Sequence, residues 1–341
     1  HYCISGPEDI EHAVRQARVI VDFSGPRFLI GDAVANACVR AGVHYVDTTG
    51  FGADVLASKT AFDDIGARAK LAGVSLIFFC GLHLVQADFG SWLLVKHMRE
   101  KYGLPTRCID GYEVSIGTRL SGTAILSSKG PSDFEERLSN VGYFFLGGLP
   151  EDGLQPEDDE DKTPPVEDQY ARMWRAAAEI PEQTVVRCSY GLFKDLEPYG
   201  NHFRYRGWNL FPDQASAAMN ALRHQNKFLR RGYDKHVSLN KIPGPGQGPC
   251  ERFRKESAYT RILVAESDAP PGKDVQKAHC VFSTGPGGLS DLQEGTAFVA
   301  LEAADCLLVA LDAGSSLRSG FGTPTYHLAH LGFGERLKAS F

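Results

Sequence analysis

The sequence has no uninterrupted apolar run near the roughly 20 residues that cross a bilayer, so no membrane span is expected. Its start at His1 lacks the basic and then apolar segments of a signal peptide. None of its eight cysteines (Cys3, Cys38, Cys80, Cys108, Cys188, Cys250, Cys280 and Cys306) falls in a Cys-x-x-Cys pair. That absence argues against a zinc site or a disulfide framework. With Cys38, Cys80 and Cys306 inside apolar runs, reduced buried thiols and a cytoplasmic location are expected. No Walker loop, Gly-x-Ser-x-Gly elbow or His/Cys metal cluster occurs, which argues against NTPase, hydrolase and zinc-enzyme readings, and no metal is expected. A formal charge of −6 gives no reason to expect nucleic acid as a partner. The most consequential absence is the Gly-x-Gly-x-x-Gly turn, which lays a dinucleotide pyrophosphate on a helix N-terminus.

What is present has the alternation of a parallel α/β sheet over residues 19–102. Val19-Ile20-Val21-Asp22-Phe23 reads as a strand ending in Ser24-Gly25-Pro26. A helix follows, with Asp32 as its cap, an apolar stripe of Val34, Ala37, Cys38 and Ala41, and Gly42 as its stop. The strand His44-Tyr45-Val46-Asp47 leads into Thr48-Thr49-Gly50, and a second helix from about Ala53 to Leu71 is closed by Gly73. Val74 to Cys80, interrupted only by Ser75, reads as a buried strand, and Asp88 is expected to open a helix reaching about Tyr102.

Beyond Pro105 the pattern becomes a mixed one. Cys108 to Ile116 reads as a strand, and Ser121-Gly122-Thr123 as the opening of a short helix. Residues 151–168 hold nine carboxylates against one lysine and read as a solvated acidic insertion. Gln214 to Arg231 has a helical pattern with a basic end. The glycines of Gly244-x-Gly246-x-Gly248 are flanked by prolines, with no buried strand before them, so a phosphate loop is rejected there. Thr260 to Glu266 and Ala278 to Ser283 read as paired strands, and Gly295 to Leu311 as an apolar helix.

Several of these blocks, in order, resemble the saccharopine dehydrogenase-like oxidoreductases, especially the branch that includes trans-acting enoyl reductases. They are Val21-Asp22-Phe23-Ser24-Gly25-Pro26, Ala37-Cys38-Val39-Arg40-Ala41-Gly42, His44-Tyr45-Val46-Asp47-Thr48-Thr49-Gly50, Cys80-Gly81, Ala87-Asp88-Phe89-Gly90 and Ser121-Gly122-Thr123. Gly244 to Tyr259 and Gly322-Thr323-Pro324 continue the likeness. The resemblance implies a truncated Rossmann-like parallel-sheet domain (1–104), lacking an upstream strand and its glycine-rich turn. It further implies a mixed α/β substrate domain (105–290) and a C-terminal helical return (291–341) packing on the first. NADP (NADPH) or NAD is the implied cofactor. The implied reaction is hydride transfer to a C=C bond of an acyl or polyketide-type substrate, or to a C=N bond. Two rivals remain: a noncatalytic scaffold, and an amino-acid imine (saccharopine-type) reductase whose carboxylates would need arginines such as Arg119, Arg204 and Arg206. Assembly as a homo-oligomer is an open expectation.

Ligands of an open parallel sheet bind beyond the carboxyl ends of its strands. That rule selects Ser24, Gly25 and Pro26, then Asp47, Thr48, Thr49 and Gly50, then Cys80 and Gly81, as cofactor-binding candidates. Asp47 suits either a ligand hydroxyl or a local cap through Thr49 or Gly50. His44 reads as a hydrogen-bonded structural histidine and Tyr45 as packing. Where relatives read Gly-Phe-Asp-Ser-x-Pro, this chain reads Gly81-Leu82-His83-Leu84-Val85-Gln86, and Phe51 replaces an acidic residue. His83, with an ordinary pKa near neutrality, is the candidate proton donor; it is equally readable as a neutral replacement in a site with altered chemistry. Ser121, Gly122 and Thr123 are candidates for holding a carboxylate or thioester oxygen, or serve as a plain helix cap.

Overall fold

A computed structural model describes residues 6–25, 32–50, 62–116, 150–153, 164–177, 181–225, 247–248, 250–251, 258–284 and 292–340. In chain order the elements are α1 (Pro7–Val14), β1 (Val19–Asp22), α2 (Ala33–Ala41), β2 (His44–Asp47), a π-helical turn (Phe62–Gly66) running into α3 (Ala67–Ala72), and β3 (Ser75–Ile77). Then come α4 (Leu82–His97), extended by a second π-helical turn (Met98–Tyr102), β4 (Thr106–Ile116), β5 (Val166–Asp168), β6 (Met173–Ala177) and α5 (Pro181–Leu192). β7 (Arg204–Phe211), α6 (Gln214–Gln225), β8 (Ala258–Ser267), β9 (Lys277–Thr284), α7 (Leu292–Asp312), β10 (Gly320–Gly322), α8 (Pro324–Leu328) and α9 (Phe333–Ser340) complete the set.

The fold is α/β, with one parallel and one mixed sheet. In the first, order β1-β2-β3-β10, all neighbours are parallel, and Val19 to Asp22 align one-to-one with His44 to Asp47. Two of its crossovers close by the same device. Gly42 takes φ 71°, so that Gly42 N–H donates to Val39 O and Val43 N–H to Cys38 O. Gly73, at φ 70°, repeats this with Lys70 and Ala69. Each left-handed glycine satisfies the last helical carbonyls and turns the chain straight into the next strand. The start of α2 differs from expectation: the Asp32 side chain makes no cap, and Asn36 Nδ2 instead donates to Asp32 O at 2.9 Å.

Alternating strand residues split the core into two layers. Tyr45, Leu76 and Phe321 face α2 and α3, while Val46 and Ile77 face α4 and α7. The second sheet, order β5-β6-β7-β4-β8-β9, is antiparallel except for the parallel β4–β7 pair. Helix α4 lies between the sheets and is buried around nearly its whole circumference, as a helix with apolar neighbours on every side must be. It begins at Leu82, six residues before the expected start, so Asp88 lies inside it and not at its cap. The expected strand Val74–Cys80 is also shorter: Phe79 takes φ 69° and ends the extended run.

Close approach of α4 to the second sheet depends on Gly90. A Cβ there would lie 2.5 Å from Leu263 Cδ1 and 2.7 Å from a Phe282 ring carbon. Gly90→Ala is therefore expected to destabilise the protein by about 1–3 kcal/mol despite alanine's better helix propensity. Urea titration checks this, and an unchanged or raised midpoint would show that the two side chains give way freely. Among the described residues no helix is long and apolar enough to cross a membrane.

Candidate functional site

The carboxyl ends of β1, β2 and β3 place the first nominated loops side by side. Because Asp22 and Asp47 are register partners on neighbouring parallel strands, their carboxylates project together at this edge. The Tyr45 hydroxyl lies between them, 3.0 Å from Asp22 Oδ2 and 3.2 Å from Asp47 Oδ2, so its one proton is shared. Each carboxylate also builds its own turn. Ser24 donates N–H (2.8 Å) and Oγ–H (2.6 Å) to Asp22 Oδ1; Thr49 donates N–H to Asp47 Oδ1 (3.0 Å) and Oγ–H to Asp47 Oδ2 (2.7 Å). Asp47 thus orders the loop that follows it. Tyr45 packs on Phe78, as expected, but its linkage of two carboxylates was not visible in the strand pattern.

Cys80 N–H donates to Asp47 O at 2.9 Å, which ties the third loop to the second. Burial, then the neighbouring carboxylates of Asp47 and Asp88, push the Cys80 thiol well above its ordinary pKa, so it is inert packing with no thiolate character. Gly50 is buried against α4, where a Cβ would meet Leu84 Cδ1 at 2.7 Å. Gly81 is the extended N-cap residue of α4, and Leu82 N–H is capped by Thr296 Oγ1 of α7 at 3.1 Å. His83 stands half-buried in the first turn of α4. Ser24 and Gly25 are exposed, while Thr48 and Thr49 are half-buried. Pro26, Phe51, Arg119, Ser121, Gly122 and Thr123 lie outside the described residues.

Residues 103–105 join the end of α4 to the start of β4, so the helix packs back along that strand and its amino end lies toward the carboxyl end of β4. The loops after β2 and β3 meet the amino end of α4, with Gly50 against Leu84 and Cys80 tied to Asp47, at the helix end that lies toward the carboxyl end of β4. A charged cluster occupies the α4-facing side of the second sheet. Arg261, fully buried, donates Nε–H to Tyr259 OH (2.6 Å), Nη1–H to Glu182 Oε2 (2.8 Å) and Tyr205 OH (3.2 Å), and Nη2–H to Glu113 Oε2 (2.8 Å) and Glu182 Oε1. Burial opposes the charge on this guanidinium, but Glu182, followed by Tyr259 and Tyr205, keeps it protonated, well above its ordinary range. No sequence signal marked this cluster, because its members are scattered over four elements.

A second buried group is Asp88, on α4 beside Ser189 of α5 and Thr323 and Thr325 at the start of α8. Burial pushes its carboxyl up to about 6, opposed by those three hydroxyls. Among the described residues neither carboxyl oxygen makes a hydrogen bond of ordinary geometry; Ser189 and Thr323 bond each other at 2.6 Å, and Thr323 Oγ1 accepts Tyr326 N–H. His44 accepts Ser75 N–H on Nδ1 at 3.0 Å, the structural role expected for it. Arg204 and Arg206 project from the face of β7 opposite Tyr205, and both are engaged. Arg204 pairs with Asp152 (2.9 Å), and Arg206 is bidentate to Asp110 (2.8 and 2.7 Å). They do not form a carboxylate-binding pair at the convergence point. Among the described residues no group of three or more His, Cys, Asp or Glu is placed to hold a metal ion.

No family model matches the chain. A stretch of 88 residues is 32% identical to a lipid droplet localized protein of Caenorhabditis elegans; it covers 26% of this chain and only 20% of that protein. Among solved structures, a meso-DAPDH mutant with DAP from Clostridium tetani overlaps 98% of this chain and 84% of its own at 10% identity, TM-score 0.40. The C. glutamicum DAP dehydrogenase in complex with DAP covers 97% and 84% at 9% identity, TM-score 0.36. An engineered D-amino acid dehydrogenase bound to NADP+ covers 97% and 85% at 10% identity, TM-score 0.36. With scores below 0.5, the fold assignment rests on the strand order itself.

Proposed function

We propose that the chain acts as an NAD(P)H-dependent oxidoreductase of the saccharopine dehydrogenase-like type, on an acyl C=C bond or on a C=N bond. The observation that carries this reading is the parallel order β1-β2-β3-β10, whose carboxyl ends align Ser24-Gly25, Asp47 to Gly50 and Cys80-Gly81 beside the amino end of α4. The residue that fits the nicotinamide half of such a cofactor is Gln86, whose buried side-chain amide has no hydrogen-bond partner among the described residues. Ser24 and Gly25 would hold the ribose side, and Asp47 to Gly50 with Gly81 the ring side. When bound, the cofactor supplies the hydride. His83, as imidazolium, would deliver the proton to the atom that does not receive the hydride, and Gly81 and Leu84 shape the wall beside it. A substrate without carboxylates suits this arrangement better than an amino acid, since Arg204 and Arg206 are spent elsewhere.

One observation favours the noncatalytic rival. The strand order never reverses within the described sheet, and β1 is half-exposed along its whole length, with no described strand on its outer edge. A doubly wound sheet binds its dinucleotide where the order reverses. An NADPH titration followed by nicotinamide fluorescence decides between them. Saturable binding that weakens at least tenfold in Gly25→Val is expected. No binding at millimolar NADPH would favour the scaffold.

A further inference from the structure

Gln86 is 3% exposed, and among the described residues neither its Oε1 nor its Nε2 has a hydrogen-bond partner. It lies three residues after His83 and four before Gly90, on the face of α4 that meets the second sheet through Leu263 and Phe282. This is the end of the helix where the loops after β2 and β3 converge with the carboxyl end of β4. A buried primary amide left unpaired is costly on both its donor and its acceptor side. The Arg261 cluster nearby does not relieve it: every guanidinium N–H position there is committed to a glutamate or a tyrosine. Its best complement is a group offering an acceptor and a donor side by side.

We propose that Gln86 is a ligand-binding residue whose side-chain amide pairs with a carboxamide on a molecule bound at the amino end of α4, that carboxamide being the one on the nicotinamide ring. The assignment deepens the cofactor reading above and rests on it. It places the ring's amide at Gln86 and leaves its reactive edge toward His83, one turn nearer the helix start.

The test is thermal-shift and calorimetric titration of the 341-residue chain with nicotinamide alone, nicotinic acid, NADPH, and the NADPH analogue in which acetyl replaces the carboxamide. The wild-type protein is expected to bind nicotinamide at least tenfold more tightly than nicotinic acid, and NADPH at least tenfold more tightly than the acetyl analogue. Gln86→Met, of nearly the same volume, is expected to lose both preferences while melting at or above the wild-type temperature, since it removes two unpaired polar groups. Gln86→Leu repeats the measurement should the methionine variant fold poorly. If the wild type binds nicotinamide through Gln86 but not NADPH, the amide-reading role stands, the amide comes from a substrate, and the cofactor reading falls. Preferences unchanged in both variants, or no effect of nicotinamide on the wild type, would overturn the proposal and leave Gln86 as an interior amide alone.

Discussion

Arg261→Leu is expected to lower the stability of the protein at neutral pH by about 3–5 kcal/mol. The substitution strands Glu113 and Glu182, 4% exposed each, with no cation between them, and removes the donors that serve Tyr205 and Tyr259. Breaking a buried ionic network by removing one partner costs about 3–5 kcal/mol, a large share of the roughly 5–15 kcal/mol that holds a typical domain. Arg261→Lys should fall between the two, because an ammonium has three donors on one atom and cannot span carboxylates on β4 and α5 while also reaching both phenols. Charge cancellation is the separable part of the loss. The triple variant Arg261→Met, Glu113→Gln, Glu182→Gln should recover much of the urea midpoint that Arg261→Leu loses. A single variant with a wild-type midpoint would mean that water reaches the cluster and solvates the glutamates.

That cluster also shows where the sequence is readable and where it is not. Local chemistry was legible. Gly42 and Gly73 each stop a helix one residue before a valine that leads into the next strand, and the observed φ values of 71° and 70° are what those glycines permit. Strand His44–Asp47 follows directly from this, and so does the row of loops at its carboxyl edge. What failed was position inside the core. Asp88 reads as a helix cap because aspartate usually is one. Helix α4 is buried on all sides, so Leu82 to Ala87 shows no amphipathic rhythm that would have announced an earlier start. Strand β10 is three residues with two glycines, and it is held by contacts the local sequence cannot express: it pairs with β3, Gly320 N–H donates to Val74 O, and Phe78 N–H donates to Gly322 O. The union of Asp22 and Asp47 through Tyr45 depended on parallel register, and the Arg261 network on pairings up to 148 residues apart.

Two buried groups near α8 should give the protein an unusually flat stability between about pH 4 and pH 6. Asp88 titrates near 6 in the folded chain against an ordinary 3.8, so across that interval the native state holds more protons than the unfolded one. Its contribution therefore falls as pH rises, by about 3 kcal/mol in all. His327 behaves oppositely. Its ring is buried against Gly322, Nδ1 donates to Arg318 O at 3.0 Å, and burial pulls its pKa from 6.5 to about 3. The unfolded chain binds the extra proton there, so stability is lost as pH falls from 6.5 toward 3, by up to about 5 kcal/mol. The thiols of Cys80 and Cys188 and the Tyr199 phenol, whose titrations feel Asp88, are pushed well above their ordinary values and stay neutral throughout. Where the two intervals overlap, the opposing slopes cancel. Removing either group should expose the other. Asp88→Asn is expected to make Tm climb with pH through this window and to exceed the wild type at pH 8, where the wild-type carboxyl must ionise in place. His327→Gln is expected to make Tm decline over the same range. Because exposed carboxylates shift all three curves together, the comparison is between variants. Parallel curves for wild type and Asp88→Asn would show that the carboxyl is already solvated in the native state, most simply by water held among Ser189, Thr323 and Thr325.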